Sequence, residues 1–234
     1  GLVFAGLGGH GCVGSMVYPD AVVHQNHGYL VDANAADDWV WIPELKRFAL
    51  RFYEQNYCMV PNRSYLNISH GTWCAWAWRD ATTANPYPPI LCKGRINTQY
   101  LLWTESGVWY ARVVINRSWR QCGTPYQNER WTHVLGRHDG TTLWIATDGV
   151  QRSSTSAVGS IDVNDYGLTV GAFIGERSKW RGYLADPMVW NRALSWAEIT
   201  VLADPSNVDL RVGGVPLILP PRRRFFPSVE IHAP

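Results

Sequence analysis

WTHVLGRHDGTTLWIATDGVQ, residues 131–151, decides the fold of this chain. Two Asp-Gly pairs, Asp139-Gly140 and Asp148-Gly149, stand nine residues apart between runs that alternate apolar and polar side chains. Asp-Gly supplies the positive φ angles that a tight two-residue hairpin turn requires. The segment therefore predicts a three-stranded antiparallel meander over about 131–137, 141–147 and 150–156, with period-2 alternation setting one face of each strand inward.

Upstream lie further strand-like runs at 48–53, 57–60, 71–78, 90–92, 100–103 and 108–115, preceded by short apolar pieces at 2–5 and 28–31. Pro86-Tyr87-Pro88-Pro89 is a loop, because proline cannot donate to a central ladder. Strands at this spacing predict an all-β, two-sheet sandwich. One helix is signalled downstream. Ser195-Trp196-Ala197-Glu198 is a capping box, so the helix runs through Ile199 to about Ala203 and ends before Pro205.

Beyond residue 204 the character changes. The closing VGGVPLILPPRRRFFPSVEIHAP holds five prolines and builds no core of its own. We read 1–204 as the sandwich and 205–234 as an extended Pro/Arg-rich arm. Arg222, Arg223, Arg224, Phe225 and Phe226 are its candidate interface, since Arg and aromatic residues are enriched where proteins meet. An arm of this kind is expected to dock on a partner.

At 234 residues, 46% hydrophobic and 17% charged, the chain can bury one large domain. A net charge of +2 is too small to imply a nucleic-acid partner, and no apolar run is long enough to span a bilayer. The opening GLVFAGLGG lacks the basic n-region of a signal peptide, from which we expect a cytoplasmic product. The five cysteines include no C-x-x-C pair; Cys58, Cys74 and Cys92 lie in strand-like runs and are expected as reduced core residues.

Several motifs fail on context. Gly6 to Gly11 spells G-x-G-x-x-G, but no helical period follows it, so a dinucleotide site is not expected. His24 and His27 have no third ligand nearby; His133 reads as a packed strand residue and His138 as solvated. Sequons occur at Asn62, Asn67 and Asn116. The acidic residues are scattered, with no close carboxylate pair for glycoside hydrolysis.

Ordered motifs over roughly 1–203 give the chain a resemblance to laminin-G/pentraxin-like domains of the concanavalin A-type lectin/glucanase superfamily. Gly1-Leu2-Val3 and Asp20 through Gln25-Asn26-His27-Gly28 stand where such domains open. Ala49-Leu50-Arg51-Phe52, Tyr57 to Pro61, Thr72 to Ala77 and Ile90 to Gly94 match successive strands. Trp131 to Val134, Asp139 to Thr141 and Asp148 to Val150 follow, and the signature G-x-I-D-D-V-R-I-Y-N-R-A-L-S is matched by Gly182 to Ser195.

The resemblance implies a two-sheet antiparallel jelly roll, concanavalin A-like, with one short C-terminal helix. Some relatives bind calcium through carboxylates and loop carbonyls; Asp20, Asn26 and Asp186 are the matching candidates for a metal site, although Ala185 and Pro187 depart from the usual pattern. As ligand-binding aromatics we single out Trp103, Trp109, Trp119 and Trp180. The leading expectation is a non-enzymatic structural or binding protein with protein partners in an assembly, located in a phage virion as a capsid decoration or a fibre or adhesin subunit. The alternative is a secreted or cell-surface carbohydrate-binding module, with calcium as its possible cofactor. A degenerate glucanase-like enzyme ranks third.

Overall fold

The two Asp-Gly turns differ. Asp148 and Gly149 both take positive φ, 51° and 77°, the signature of a two-residue type I′ turn. At the other, Gly140 alone does so (φ 99°), while the Asp139 carboxylate accepts from the backbone N–H groups of Thr141 and Thr142 at 3.0 Å each. That turn is a three-residue loop capped by its own aspartate. The structure, a computed structural model, describes residues 1–6, 14–22, 25–82, 85–95, 99–173, 175, 178–207, 211–212 and 215–216.

In chain order the strands are β1 (Leu2–Ala5), β2 (Val17–Tyr18), β3 (Gly28–Val31), β4 (Trp39–Ile42), β5 (Arg47–Tyr53), β6 (Tyr57–Val60), β7 (Gly71–Arg79) and β8 (Pro89–Lys93). Then come β9 (Tyr100–Glu105), β10 (Val108–Ile115), β11 (Ser118–Pro125), β12 (Thr132–His138), β13 (Thr142–Thr147), β14 (Val150–Ser156), β15 (Leu168–Val170), β16 (Arg181–Trp190) and the helix α1 (Trp196–Leu202). The meander β12–β13–β14 starts and ends within a residue of its expected bounds. β2, β4, β11 and β15 have no counterpart among the strand-like runs of the sequence. Trp39–Ile42 is too short to show alternation, and Ser118–Pro125 is mostly exposed and polar.

The strands form two antiparallel sheets. One runs β14-β13-β12-β7-β16-β5-β4, with β1 also on β16; the other runs β11-β10-β9-β8-β15-β6-β3-β2. Between them lies a core that includes Phe4, Leu50, Phe52, Trp73, Trp109, Val113, Ile145 and Trp180. Each such side chain contributes roughly 1.5–3 kcal/mol through burial.

β16 organises the first sheet. Its first half pairs with β5 through Arg181↔Tyr53 to Leu184↔Leu50; its second half pairs with β1 through Ala5↔Met188 to Leu2↔Trp190. The register against β7 slips between Ala185 and Met188, and Asp186 sits in that bulge at φ 47°. Beyond β16, α1 is capped as expected. Ser195 Oγ accepts from the Glu198 N–H, and Glu198 Oε2 accepts from the Ser195 N–H at 2.9 Å. Ile199 and Leu202 cover Cys74, Leu135, Ala146 and Met188 on the outer face of the first sheet.

Cys58, Cys74, Cys92 and Cys122 are buried free thiols, and burial raises the pKa of all four, that of Cys122 to about 12. No described helix is long and apolar enough to cross a membrane.

Candidate functional site

Parity along β10 decides which aromatic side chains reach solvent. Trp109, Ala111, Val113 and Ile115 point into the core, so Tyr110, Arg112 and Val114 point out. The β10–β11 register places Trp119 opposite Val114, and the Val114 N–H donates to the Gln99 carbonyl at 2.9 Å. Gln99, Val114 and Trp119 thus form one row across the outer face of the second sheet. Arg112 lies in the next row, with its guanidinium carbon 4.3 Å from the Trp103 ring centroid and 4.2 Å from that of Trp119. Gln121 Oε1 accepts from Arg112 Nε and Nη2 at 3.0 and 2.7 Å, which fixes the guanidinium between the two indoles.

A groove of about 310 Å³ opens beside this row, lined by Gln99, Val114, Arg117, Trp119, Asp162 and Asn164 among others. Its far wall is built by the loop after β14. The Asp162 carboxylate accepts from the backbone N–H groups of Asn116 and Arg117 at 2.9 and 2.8 Å. These two residues form the β10–β11 turn, both at positive φ (51° and 60°), so Asp162 ties a strained turn to the groove. Asn164 is set by Lys93, whose buried ammonium donates to Asn164 Oδ1 at 3.0 Å and to the Tyr166 carbonyl at 2.5 Å. Burial pushes the Lys93 pKa down to about 8.

Two features of the groove suit a polar ligand with an apolar face. Trp119 is 51% exposed. Gln99, by contrast, is 1% exposed, and neither its Oε1 nor its Nε2 has a hydrogen-bond partner among the described residues. A buried amide left unpaired costs about 1–3 kcal/mol, so such groups are rare in native folds.

Of the four tryptophans expected at a ligand surface, the structure exposes Trp119 alone. Trp109 and Trp180 stack on each other in the core, with centroids 6.0 Å apart, because their strand positions face the opposite sheet. Trp103 faces outward but is covered by Tyr87, Tyr110 and Arg112. The alternation of Tyr110 and Arg112 with Trp109 is the sequence signal by which Trp109 can be set on the inner face, against its expectation as a ligand-binding aromatic. Gln99, Arg117 and Asp162 carried no motif and were not foreseen.

The expected metal ligands are otherwise engaged. Asp20 Oδ1 accepts from the N–H groups of Ala5 and Val22, and Oδ2 from that of Asn26. Asn26 Nδ2 donates to the Pro61 carbonyl at 2.8 Å, and His27 Nδ1 accepts from the Asp20 N–H. Asp186 is ion-paired with Arg47 at 2.5 Å. Among the described residues no three His, Cys, Asp or Glu side chains gather as a metal site. Both aspartates thus fasten chain segments to one another: Asp20 ties β1 to the 22–26 loop, and Asp186 ties the β16 bulge to β5. His138, expected to be solvated, is buried, with Nε2 2.7 Å from the Ala157 carbonyl. The glycine-rich segment 7–13, His24 and the arm residues Arg222, Arg223, Arg224, Phe225 and Phe226 lie outside the described residues.

Residues 52–200 match the family model of the concanavalin A-like lectin/glucanases superfamily. The chain belongs to that superfamily. No curated protein matches this superfamily member in sequence. Among solved structures it is similar to the binding domain of Paraclostridial Mosquitocidal Protein 1, at 15% identity and a TM-score of 0.65, over 89% of this chain and 53% of that one. It is also similar to the binding domain of Botulinum Neurotoxin DC in complex with SialylT, at 11% identity and a TM-score of 0.60, over 86% and 50%. A third is domain 4 of AbnA, a GH43 extracellular arabinanase from Geobacillus stearothermophilus, in complex with arabinotriose, at 12% identity and a TM-score of 0.64, over 87% and 98%. The chain thus spans about half the length of the toxin binding domains it matches and nearly all of the arabinanase domain. At these identities the likeness is one of fold.

Proposed function

We propose that this protein is a non-enzymatic carbohydrate-binding module whose Trp119 groove holds a sugar. The observation that carries the reading is the exposed Trp119 indole, which walls a groove whose lining also includes Arg117, Asn164 and the buried Gln99 amide. An indole stacks on the apolar face of a pyranose or furanose ring, and an amide offers one donor side and one acceptor to neighbouring hydroxyls. A volume near 310 Å³ fits the lower range of small-molecule sites. Two of the similar structures are complexes, the neurotoxin binding domain with SialylT and the arabinanase domain with arabinotriose, which supports the ligand class.

Among the described residues Asp162 is the one carboxylate lining the groove, and both its oxygens hold turn N–H groups. Glycoside hydrolysis by acid and base uses two carboxyl groups, so the reading is binding without cleavage. A glycan array, followed by calorimetry with wild-type protein and Trp119→Ala, tests it. Wild-type binding with about a tenfold or greater loss in the variant is expected, taking as a guide the roughly 1–3 kcal/mol of a nucleic-acid base stacked on an aromatic side chain. Absence of signal on every saccharide overturns it.

Incorporation of this module into a larger particle, such as a phage virion, is supported by the composition of 205–234, where three arginines and two phenylalanines stand between prolines. Light scattering on the full chain and on residues 1–204 tests that placement. A monomer in both overturns it.

A further inference from the structure

The opposite sheet presents a second, differently built surface. On β5, Arg51 and Tyr53 share the outward parity, as do Arg181 and Tyr183 on β16, while Leu50, Phe52 and Leu184 face the core. The registers set Tyr183 opposite both Arg51 and Trp78, and Arg181 opposite Tyr53. The result is a grid in which arginine and aromatic side chains alternate: Arg51, Tyr183 and Trp78 in one row, Tyr53, Arg181 and Asp80 in the next. A cleft of about 80 Å³ opens among them.

The two arginines are not equivalent. Arg181 Nε donates to Asp80 Oδ2 at 3.0 Å and is neutralised there. The Arg51 guanidinium lies 4.8 Å from the Tyr53 ring centroid and 6.0 Å from that of Tyr183, is exposed, and has no carboxylate partner among the described residues. The buried acid nearest in sequence, Asp38, is taken by neutral donors: the Tyr53 hydroxyl at 2.5 Å, the Asn34 N–H at 2.7 Å and Asn56 Nδ2 at 3.3 Å. Those bonds hold the Tyr53 ring in place. Trp78 and Tyr183 meet edge to face at 5.4 Å, and Trp131 lies 6.3 Å from Tyr183. Tyr53, Trp78, Tyr183 and Trp131 are all half-buried, with ring surface left over for a ligand.

We propose that this face is a second binding site, for a carboxylate-bearing sugar such as a uronic acid. The fork of Arg51 matches a carboxylate in two-point geometry, and the cleft is sized for that group while the sugar ring lies on the surrounding aromatics. A neutral sugar leaves the cation without its partner, and a bare anion leaves the rings uncovered. This site is independent of the Trp119 groove, which lies on the other sheet.

The test uses the full chain with sodium glucuronate, glucose and sodium acetate as probes. Affinity is read by calorimetry, and position by the indole N–H signal assigned to Trp78. Glucuronate is expected to bind more tightly than either control, to shift the Trp78 signal and to weaken as salt is raised. Arg51→Gln, which keeps a planar polar end group without the charge, should lower glucuronate affinity about tenfold. Trp119→Ala should leave it unchanged. Equal binding of acetate, or full binding by Arg51→Gln, overturns the proposal. So does loss of glucuronate binding in Trp119→Ala, which would place the acid in the other groove. Loss of neutral-glycan binding alone bears on the Trp119 site and leaves this one standing.

Discussion

Arg47 of β5 and Asp186 of the β16 bulge form a buried ion pair 2.5 Å long, each side chain 8% exposed. Burial pushes the Asp186 carboxyl up, and the Arg47 guanidinium beside it pulls it back. Arg47 also donates to the Leu45 and Pro205 carbonyls and lies over the Trp76 ring, 5.6 Å from its centroid. Removing the carboxylate leaves a desolvated guanidinium. Asp186→Ala should therefore lower unfolding free energy by about 3–5 kcal/mol in urea titration, whereas Arg47→Met combined with Asp186→Ala should recover much of the loss. Added calcium should not shift the wild-type melting temperature through this residue.

His133 supplies a pH dependence. Burial foremost, with Arg47 adding to it, pushes the imidazole pKa down to about 3. The folded protein keeps His133 neutral, while the unfolded chain protonates it near 6.5, so the unfolded state binds more protons between the two values. Stability should fall as pH drops from about 6.5 toward about 3, and this contribution should level off below that. His133→Gln should flatten this part of the acid limb in urea titrations across that range. An unchanged acid limb would show that His133 is not its source.

Gln99 should separate stability from binding. Replacing the unpartnered amide with leucine removes a buried polar cost, so Gln99→Leu should raise stability by about 1–3 kcal/mol. The same change should abolish glycan binding in the Trp119 groove. A variant that is both stabilised and fully active would remove Gln99 from the site.

Gly136 tests the core. A Cβ there would lie 2.6 Å from the ring of Trp73, which is fully buried. Gly136→Ala should cost about 1–3 kcal/mol by overpacking, read as a lowered melting temperature. Trp73→Phe in the same chain should return part of it.

The architecture was legible where backbone chemistry forces a choice. Asp148-Gly149 marked its turn because both residues take positive φ, and Ser195 with Glu198 marked the helix because the cap needs both side chains. The sites were less legible, for physical reasons. Trp103, Trp109 and Trp180 share an indole with Trp119, and only cross-strand register and neighbouring side chains decide which one meets water. Gln99 is unremarkable in sequence; its significance lies in what fails to reach it. The spacing Arg51-Phe52-Tyr53 and its echo Arg181-Gly182-Tyr183 did carry a trace of the second surface, since both place an arginine and a tyrosine on one parity. The partnership of Asp186 with Arg47 joins residues far apart in the chain and follows from a bulge that alternation does not announce.

The guanidinium of Arg112 leaves Trp119 with one open side. A half-exposed ring with a guanidinium against one face presents itself as a wall. Under the proposed function, such a wall suits a polymer that rests against the indole with an internal unit, without first offering an end.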